Sequence, residues 1–338
     1  MPDYFDTATL AASFDRRTAP GQDFLNTVAP NRFQSDGEEV VIDEVLDDER
    51  IAQYVSPDVE TPEGEKITRE ARSYEPTYTK ERDTIKPSQG LKRRAGEPLM
   101  GDPGAAMDRF EQAVEDQLDT HQNRITRLEI KQANEVIQTG RVTVTGKSAA
   151  NRVINYNRDA DLSGAGVNWS GGSILENLEA RSDKLGEIGG AMGRVLIVGS
   201  TAKNILVNDE EIKDNLDNRR AAGGELELNV LSSDKRNTMR YVGSLGDIDV
   251  WKYVQSYKAN GTRQLFFPTN GSCIMDPEEF FGILAYGSVL DKKAGLVPLS
   301  RFAKVWDSED PAATLAMTQS SPLMIPGNIN AADFFTVT

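Results

Sequence analysis

The chain has 338 residues, 38% hydrophobic and 27% charged, with a net charge of −15. That is room for two domains or one elaborated one, and no run of about 18 apolar residues is present to cross a membrane as a helix. The opening "MPDYFDTATLAASFDRR" lacks the basic start and apolar stretch of a signal peptide. One cysteine, Cys273, excludes an internal disulfide and fits a reducing cytoplasm, while the acidic excess opposes general affinity for nucleic acid.

Residues 1–37 read as an arm, with a short amphipathic helix over 8–14 and the rest broken by Pro20, Gly21, Pro30 and Gly37. "EEVVIDEVL" (38–46) is rich in β-branched residues and predicts a strand. Charge is blocked here: residues 36–50 hold eight acids and one base, and residues 66–94 nine bases and four acids. Such opposed blocks are either solvated surface or two halves of an intermolecular contact. Residues 67–74 and 77–85 have strand-like composition with few apolar groups, Ile67, Tyr74, Tyr78 and Ile85. Paired with each other about Pro76 they would form a ribbon almost without a core, which is marginal alone in water and calls for a partner surface.

Residues 103–140 predict one long helix. Pro103 suits a first helical turn and Gly140 a stop. Met107, Phe110, Val114, Leu118, His121, Ile125, Leu128, Val136 and Ile137 recur at steps of three and four, which is one face. Acids come first (Asp108, Glu111, Glu115, Asp116, Asp119) and bases later (Arg124, Arg127, Lys131), as the helix dipole favours. The rod would be roughly 50 Å long. By periodicity alone it also fits a coiled coil.

"RVTVTG" (141–146) follows as a strand, and residues 151–172, rich in Asn, Asp, Ser and Gly, read as a connection. A mixed region begins near Ser173, the expected N-cap of "SILENLEARSDKLGEI". Then come the buried strand "RVLIVGS", the helical "TAKNILVNDEEIKDNLDNRR", and the strands "MRYVGSL", "DIDVWKYVQSYK", "TRQLFFP" and "SCIMDP", with a hairpin turn at Asn260-Gly261. "FFGILAYGSVLD" reads as a strand pair or a bulged strand. "TLAMTQSS" and "DFFTVT" read as strands returning beside the long helix. The class is α+β, without internal repeats.

Catalytic signals are weak. "VTGKS" (144–148) is similar to the end of a phosphate-binding loop, but that loop needs Gly at position 141, which is Arg. "LGEIGGAMG" has the glycines of a dinucleotide fingerprint but precedes its strand instead of following one. His121, the lone histidine, sits on the apolar stripe and reads as structural. One His and one Cys do not make a zinc site. Tyr74, Tyr78, Lys80 and Arg82 could stack on a single-stranded nucleic acid, but protein contact ranks higher for so acidic a chain.

Several segments, taken in order and spacing, resemble the lambda-type major capsid protein family of tailed bacteriophages. They are "YVSP" (54–57), "VTVTG" after the long helix, "GDIDVWKYVQSYKANGTRQLFFP" (246–268), "YGSVLD" (286–291) and "LAMTQSSPLMI" (315–325). The resemblance spans residues 40–338 and implies the Hong Kong 97-type shell fold, with an N-terminal arm, an extended β-hairpin loop, a long spine helix, and peripheral and axial domains. It places the arm at 1–37, the start of the peripheral domain at 38–57 and the extended loop at 58–95. The peripheral domain would continue over 96–164 with its spine at 103–139, the axial domain would span 165–300, and 301–338 would return to the peripheral domain.

The function implied is assembly through pentamers and hexamers into an icosahedral shell around packaged double-stranded DNA, in the host cytoplasm and then the virion. No catalysis, cofactor or metal is called for. Implied partners are further copies of the chain, a scaffolding protein, a portal and, in some relatives, a decoration protein. On the residues, Arg69, Arg72 and Arg82, with Tyr74 and Tyr78, are expected to meet acidic surface on a neighbour, such as Asp47, Asp48 and Glu49 or the acidic start of the spine. Two other readings are a non-viral encapsulating shell protein and a hydrolase using acidic residues.

Overall fold

The computed structural model describes residues 21–35, 37, 39–46, 68–92, 105–146, 151–162, 164, 166–215, 238–259, 261–295 and 298–338. The helix expected at 8–14 and the candidates Asp47, Asp48 and Glu49 lie outside them. The organising element is helix α3, Ala105–Thr139, one uninterrupted rod of 35 residues. It ends where Gly140 turns to φ 68 and donates its N–H to Val136 O at 2.8 Å. The last carbonyls of a helix have no partners within it. Here the Arg158 guanidinium supplies them, donating to Ile137 O at 2.9 Å and Val136 O at 3.0 Å.

Upstream lie helix α1 (Gln22–Val28), strands β1 (Asn31–Gln34), β2 (Val40–Leu46), β3 (Thr68–Tyr74) and β4 (Thr79–Ile85), and the short helix α2 (Ser88–Leu91). The strands expected at 67–74 and 77–85 exist but do not pair with each other. β3 runs antiparallel to β2, from Val40 opposite Tyr74 to Leu46 opposite Thr68. β4 instead joins β15 (Ala313–Ser320), from Ser320 opposite Thr79 to Thr314 opposite Ile85. The intervening residues are anchored to the body, not turned on themselves. Pro76 and Thr77 are buried, and the Thr77 hydroxyl donates to Pro322 O at 2.6 Å. The ribbon is therefore β2–β3, and β4 is covered by its own chain.

β14 (Phe302–Ser308) completes a three-stranded sheet in the order β14-β15-β4, on which the first half of α3 lies. β1, β13 (Ile283–Tyr286) and β16 (Pro322–Ile325) form a second sheet, with β1 parallel to β13. β5 (Arg141–Val144) pairs with β6 (Arg152–Asn155), so the stretch read as a plain connection contains a strand. Residues 280–291 give one strand, not two. Asp276 caps the short helix α7 (Pro277–Phe280) by accepting from Glu278 N at 2.9 Å, and the chain straightens into β13 only after it.

The largest sheet has the order β17-β12-β7-β9-β8. Its strands are β7 (Val195–Val198), β8 (Met239–Leu245), β9 (Ile248–Tyr253), β12 (Gly271–Met275) and β17 (Ala332–Thr336). β7 and β9 are parallel and the other pairs antiparallel. Side chains alternate between its faces. Leu196, Val198, Val250, Ile274 and Phe335 face α4 (Ile174–Gly189), α5 (Ser200–Asn208) and α6 (Glu210–Asn215). Ile197, Cys273, Met275 and Phe334 face α1 and the end of α3. The final strand β17 belongs to this sheet and, like β15 and β16, also returns beside α3, as expected. Between β9 and β12 stands the isolated hairpin β10 (Ser256–Ala259) and β11 (Thr262–Leu265). Cys273 is fully buried, and burial pushes its thiol up to about 12.

Candidate functional site

Two regions carry the residues singled out in the sequence. The first is the β2–β3 ribbon, which among the described residues pairs only with itself. It is rooted in the body by buried Val40 and by half-buried Tyr74, whose ring lies 5.5 Å from that of Tyr156. Arg69 and Arg72 lie on β3, with Cα partners Val45 and Ile42 on β2. The second region is the joint between β4 and α3. Tyr78 sits just before β4; its hydroxyl donates to Gln319 Oε1 at 2.5 Å and accepts from Leu290 N at 3.1 Å. Burial raises its pKa above the ordinary tyrosine value. Tyr78 is therefore occupied within its own subunit. Arg82 is exposed on β4, opposite Met317. The structure thus separates the candidates: Arg69, Arg72 and Tyr74 on the ribbon, Tyr78 and Arg82 on the body.

The helix joint is more polar than its apolar stripe implies. His121 is fully buried, with Nε2 3.0 Å from Asp83 Oδ2 and Nδ1 3.2 Å from Thr318 Oγ1. Gln117 also donates to Asp83, and Arg124 pairs with Glu81 at 2.8 Å. Further along, Glu129 pairs with Arg301 at 3.0 Å and accepts from Tyr286 Oη at 3.1 Å; both charged side chains are almost wholly buried. Burial, with the Glu129 charge second, moves the Tyr286 phenol far upward. Gln132 donates to Thr77 Oγ1 at 2.8 Å and accepts from Met324 N at 3.2 Å. These residues were missed, yet a signal existed: Leu118, Gln122, Ile125, Glu129, Gln132 and Val136 continue the steps of three and four, so Gln122, Glu129 and Gln132 share the buried face. Met107, by contrast, is 61% exposed. Nothing in the sequence marked Arg301 as the partner of Glu129, or Arg158 as the partner of the helix-end carbonyls.

A groove of about 670 Å³ runs between β4, α3 and β5, lined by Lys80, Glu81, Arg124, Lys131 and Glu135 among others; Arg124 pairs with Glu81 and Lys131 with Glu135. It mixes both charges without a nucleophile-and-base pair. No group of three or more His, Cys, Asp or Glu side chains able to hold a metal is found among the described residues. The glycine-rich 185–193 stretch is a helix exit, with α4 closing at Gly190 (φ 72) before β7 begins. No helix among the described residues is long and apolar enough to cross a membrane.

The family described as phage major capsid protein E matches residues 6–337. The major capsid protein of Enterobacteria phage P21 is 27% identical over 300 residues, covering 85% of this chain and 86% of that protein. The P21 prophage-derived major head protein of Escherichia coli O6:H1 matches equally. Among solved structures, a prophage protein of E. coli CFT073 assigned as a capsid protein superposes with a TM-score of 0.75 at 17% identity, covering 99% of both chains. A phage-related protein of Bordetella bronchiseptica gives 0.51 at 7% identity, covering 97% of this chain and 96% of that one.

Proposed function

Since the chain belongs to the phage major capsid protein E family, and is thus a structural protein of the virion shell, we infer that its copies join as pentamers and hexamers through the β2–β3 ribbon. The observation carrying this is the ribbon itself: two strands that among the described residues pair with each other alone, rooted by Val40 and Tyr74. A two-stranded ribbon is marginal in water and gains order by lying on another surface. A neighbouring copy supplies it. Arg69 and Arg72 meet acidic surface there, and the start of α3 offers exposed Asp108 and Glu115. Arg82, on the body, is open to acids of a neighbour, for which Asp47, Asp48 and Glu49 are candidates. Such charges set register and partner choice more than raw affinity.

In this reading the five-stranded sheet with α4 to α6 forms the axial domain, and α3 with the β14-β15-β4 sheet forms the peripheral one. A scaffolding protein, a portal and a decoration protein are the partners a shell of this kind recruits. Packaged double-stranded DNA would be enclosed without sequence-specific contact, as the net charge of −15 favours. The test is expression followed by negative-stain electron microscopy and sedimentation, with and without a co-expressed scaffold. Rings of five and six or closed shells are expected. A monomer in both cases, with the ribbon resistant to light proteolysis, would overturn the reading. Reversing Arg69, Arg72 and Arg82 to Glu should abolish particles while circular dichroism stays unchanged; a normal particle yield would remove these residues from the interface.

A further inference from the structure

The β10–β11 hairpin carries an arrangement that is unfavourable within one chain. Lys258 and Arg263 are directly opposite in the register, so their side chains share a face, and like charges so placed repel. Both are exposed, and neither forms an ion pair among the described residues. The hairpin contains no acidic residue to offset them. Leu265, 43% exposed, lies on the same face by the two-residue alternation. The other face is tied down: Tyr257 stacks on Phe266 with ring centres 4.6 Å apart and bonds Gln264 at 2.9 Å. The hairpin is thus held rigidly, with a basic and apolar face turned outward.

A complementary surface exists elsewhere on the same molecule. Along α4, Glu176, Glu179, Asp183 and Glu187 are all exposed and follow at steps of three, four and four, which is one helical stripe. Just beyond the helix, Met192 is 60% exposed. α4 packs on one face of the five-stranded sheet, in the cluster of Leu196 and Ile274, while Tyr257 packs through Phe266 on the separate cluster that holds the other face, Ile197 and Cys273 among it. The two charged surfaces thus belong to elements packed on different cores, and no ion pair joins them among the described residues.

We propose that the β10–β11 hairpin of one copy docks on the α4 stripe of the next, with Lys258 and Arg263 against Glu179, Asp183 and Glu187, and Leu265 toward Met192. Donor and acceptor on different surfaces make a heterologous contact, which repetition closes into a ring when the rotation between copies is a fifth or a sixth of a turn. The inference rests on the capsid reading but concerns the axial sheet, not the β2–β3 ribbon. Being between exposed charges, the contact weakens with added salt.

The experiment pairs Lys258→Cys with Asp183→Cys in one full-length chain, oxidised and run on a non-reducing gel. A ladder of covalent multimers ending at five or six is expected from the double variant and not from either single one. Monomer alone, or an equal ladder from one single variant, overturns the proposal. Electron microscopy of the wild-type chain in the same series separates the two ideas: particles without cross-links sink this contact and leave the capsid reading standing. As a second measurement, Lys258→Glu with Arg263→Glu should cut the assembled fraction tenfold or more. Adding Glu179→Lys, Asp183→Lys and Glu187→Lys should restore it; no restoration overturns the proposal.

Discussion

The two halves of α3 are packed by different physics. From Ile130 onward the helix enters the main core, where Ile130, Ala133, Val136 and Ile137 meet Phe24, Leu323 and Met324. Over its first half the apolar contact is a small cluster of Val114 and Leu118 with Ile85, Ala303 and Ala316. There Asp83, Glu81 and Thr318 reach the helix through Gln117, His121 and Arg124. Apolar packing is non-directional and tolerates sliding, whereas hydrogen bonds fix one register. The inner half therefore carries most of the apolar burial, with Gln132 bonded inside it to Thr77 and Met324, and the outer half fixes where the β14-β15-β4 sheet sits along the rod mainly through polar contacts.

Breaking the junction should have the largest effect. Glu129→Ala leaves Arg301 buried without its carboxylate and should cost about 3–5 kcal/mol, read by denaturant unfolding. A loss below about 1 kcal/mol would mean that the pair is solvated. Ile130→Ala tests the inner half and should cost about 2–5 kcal/mol through transfer and cavity terms. His121→Ala tests the outer half and should cost about 1–3 kcal/mol by stranding Thr318 and loosening Asp83; protease sites in β4 should open before those in β12. If global and β4 protection fell together, the two halves would be one unit.

A smaller effect should appear with pH. Asp291 is held below the ordinary aspartate value of 3.8, first by the Lys293 backbone N–H and also by Lys304 and Gln319. A lowered native pKa stabilises the fold above the ordinary value and loses that contribution as pH falls through the native one. Asp291→Asn should therefore lower Tm at neutral pH, with the gap to wild type closing below about pH 3.8. A constant gap down to pH 2 would assign the loss to geometry, not charge. Arg82→Glu should shift stability by less than about 0.5 kcal/mol, since it is an exposed site, so any loss of particles would be an interface effect.

Much of this was legible in the sequence because it was periodic. The long helix is found within two residues of its expected start, and Ser173 caps α4 by accepting from Glu176 N at 3.2 Å. Strand existence was legible at β3 and β4, but partnership was not. Composition reports that a segment suits a pleated surface, while pairing depends on residues far away: Pro322, Gln319 and Thr314 claim β4 and its approach. The apolar stripe hid its polar members for a similar reason. Gln132 and Glu129 are acceptable inside only because Thr77, Met324, Arg301 and Tyr286 meet them there. Asp47, Asp48 and Glu49 lie outside the described residues, so the ribbon's acidic half remains part of the proposal.

Cys273 lies at the middle of β12, between β7 and β17. A thiol reacts through its thiolate, and one raised to about 12 and sealed from solvent supplies almost none at neutral pH. A wall assembled from many copies therefore presents no reactive native thiol among the described residues, however many copies it contains. It can pass from a reducing interior to an oxidising exterior without Cys273 forming accidental disulfide links or being oxidised. Any thiol engineered onto its surface becomes a unique chemical address, repeated once per subunit.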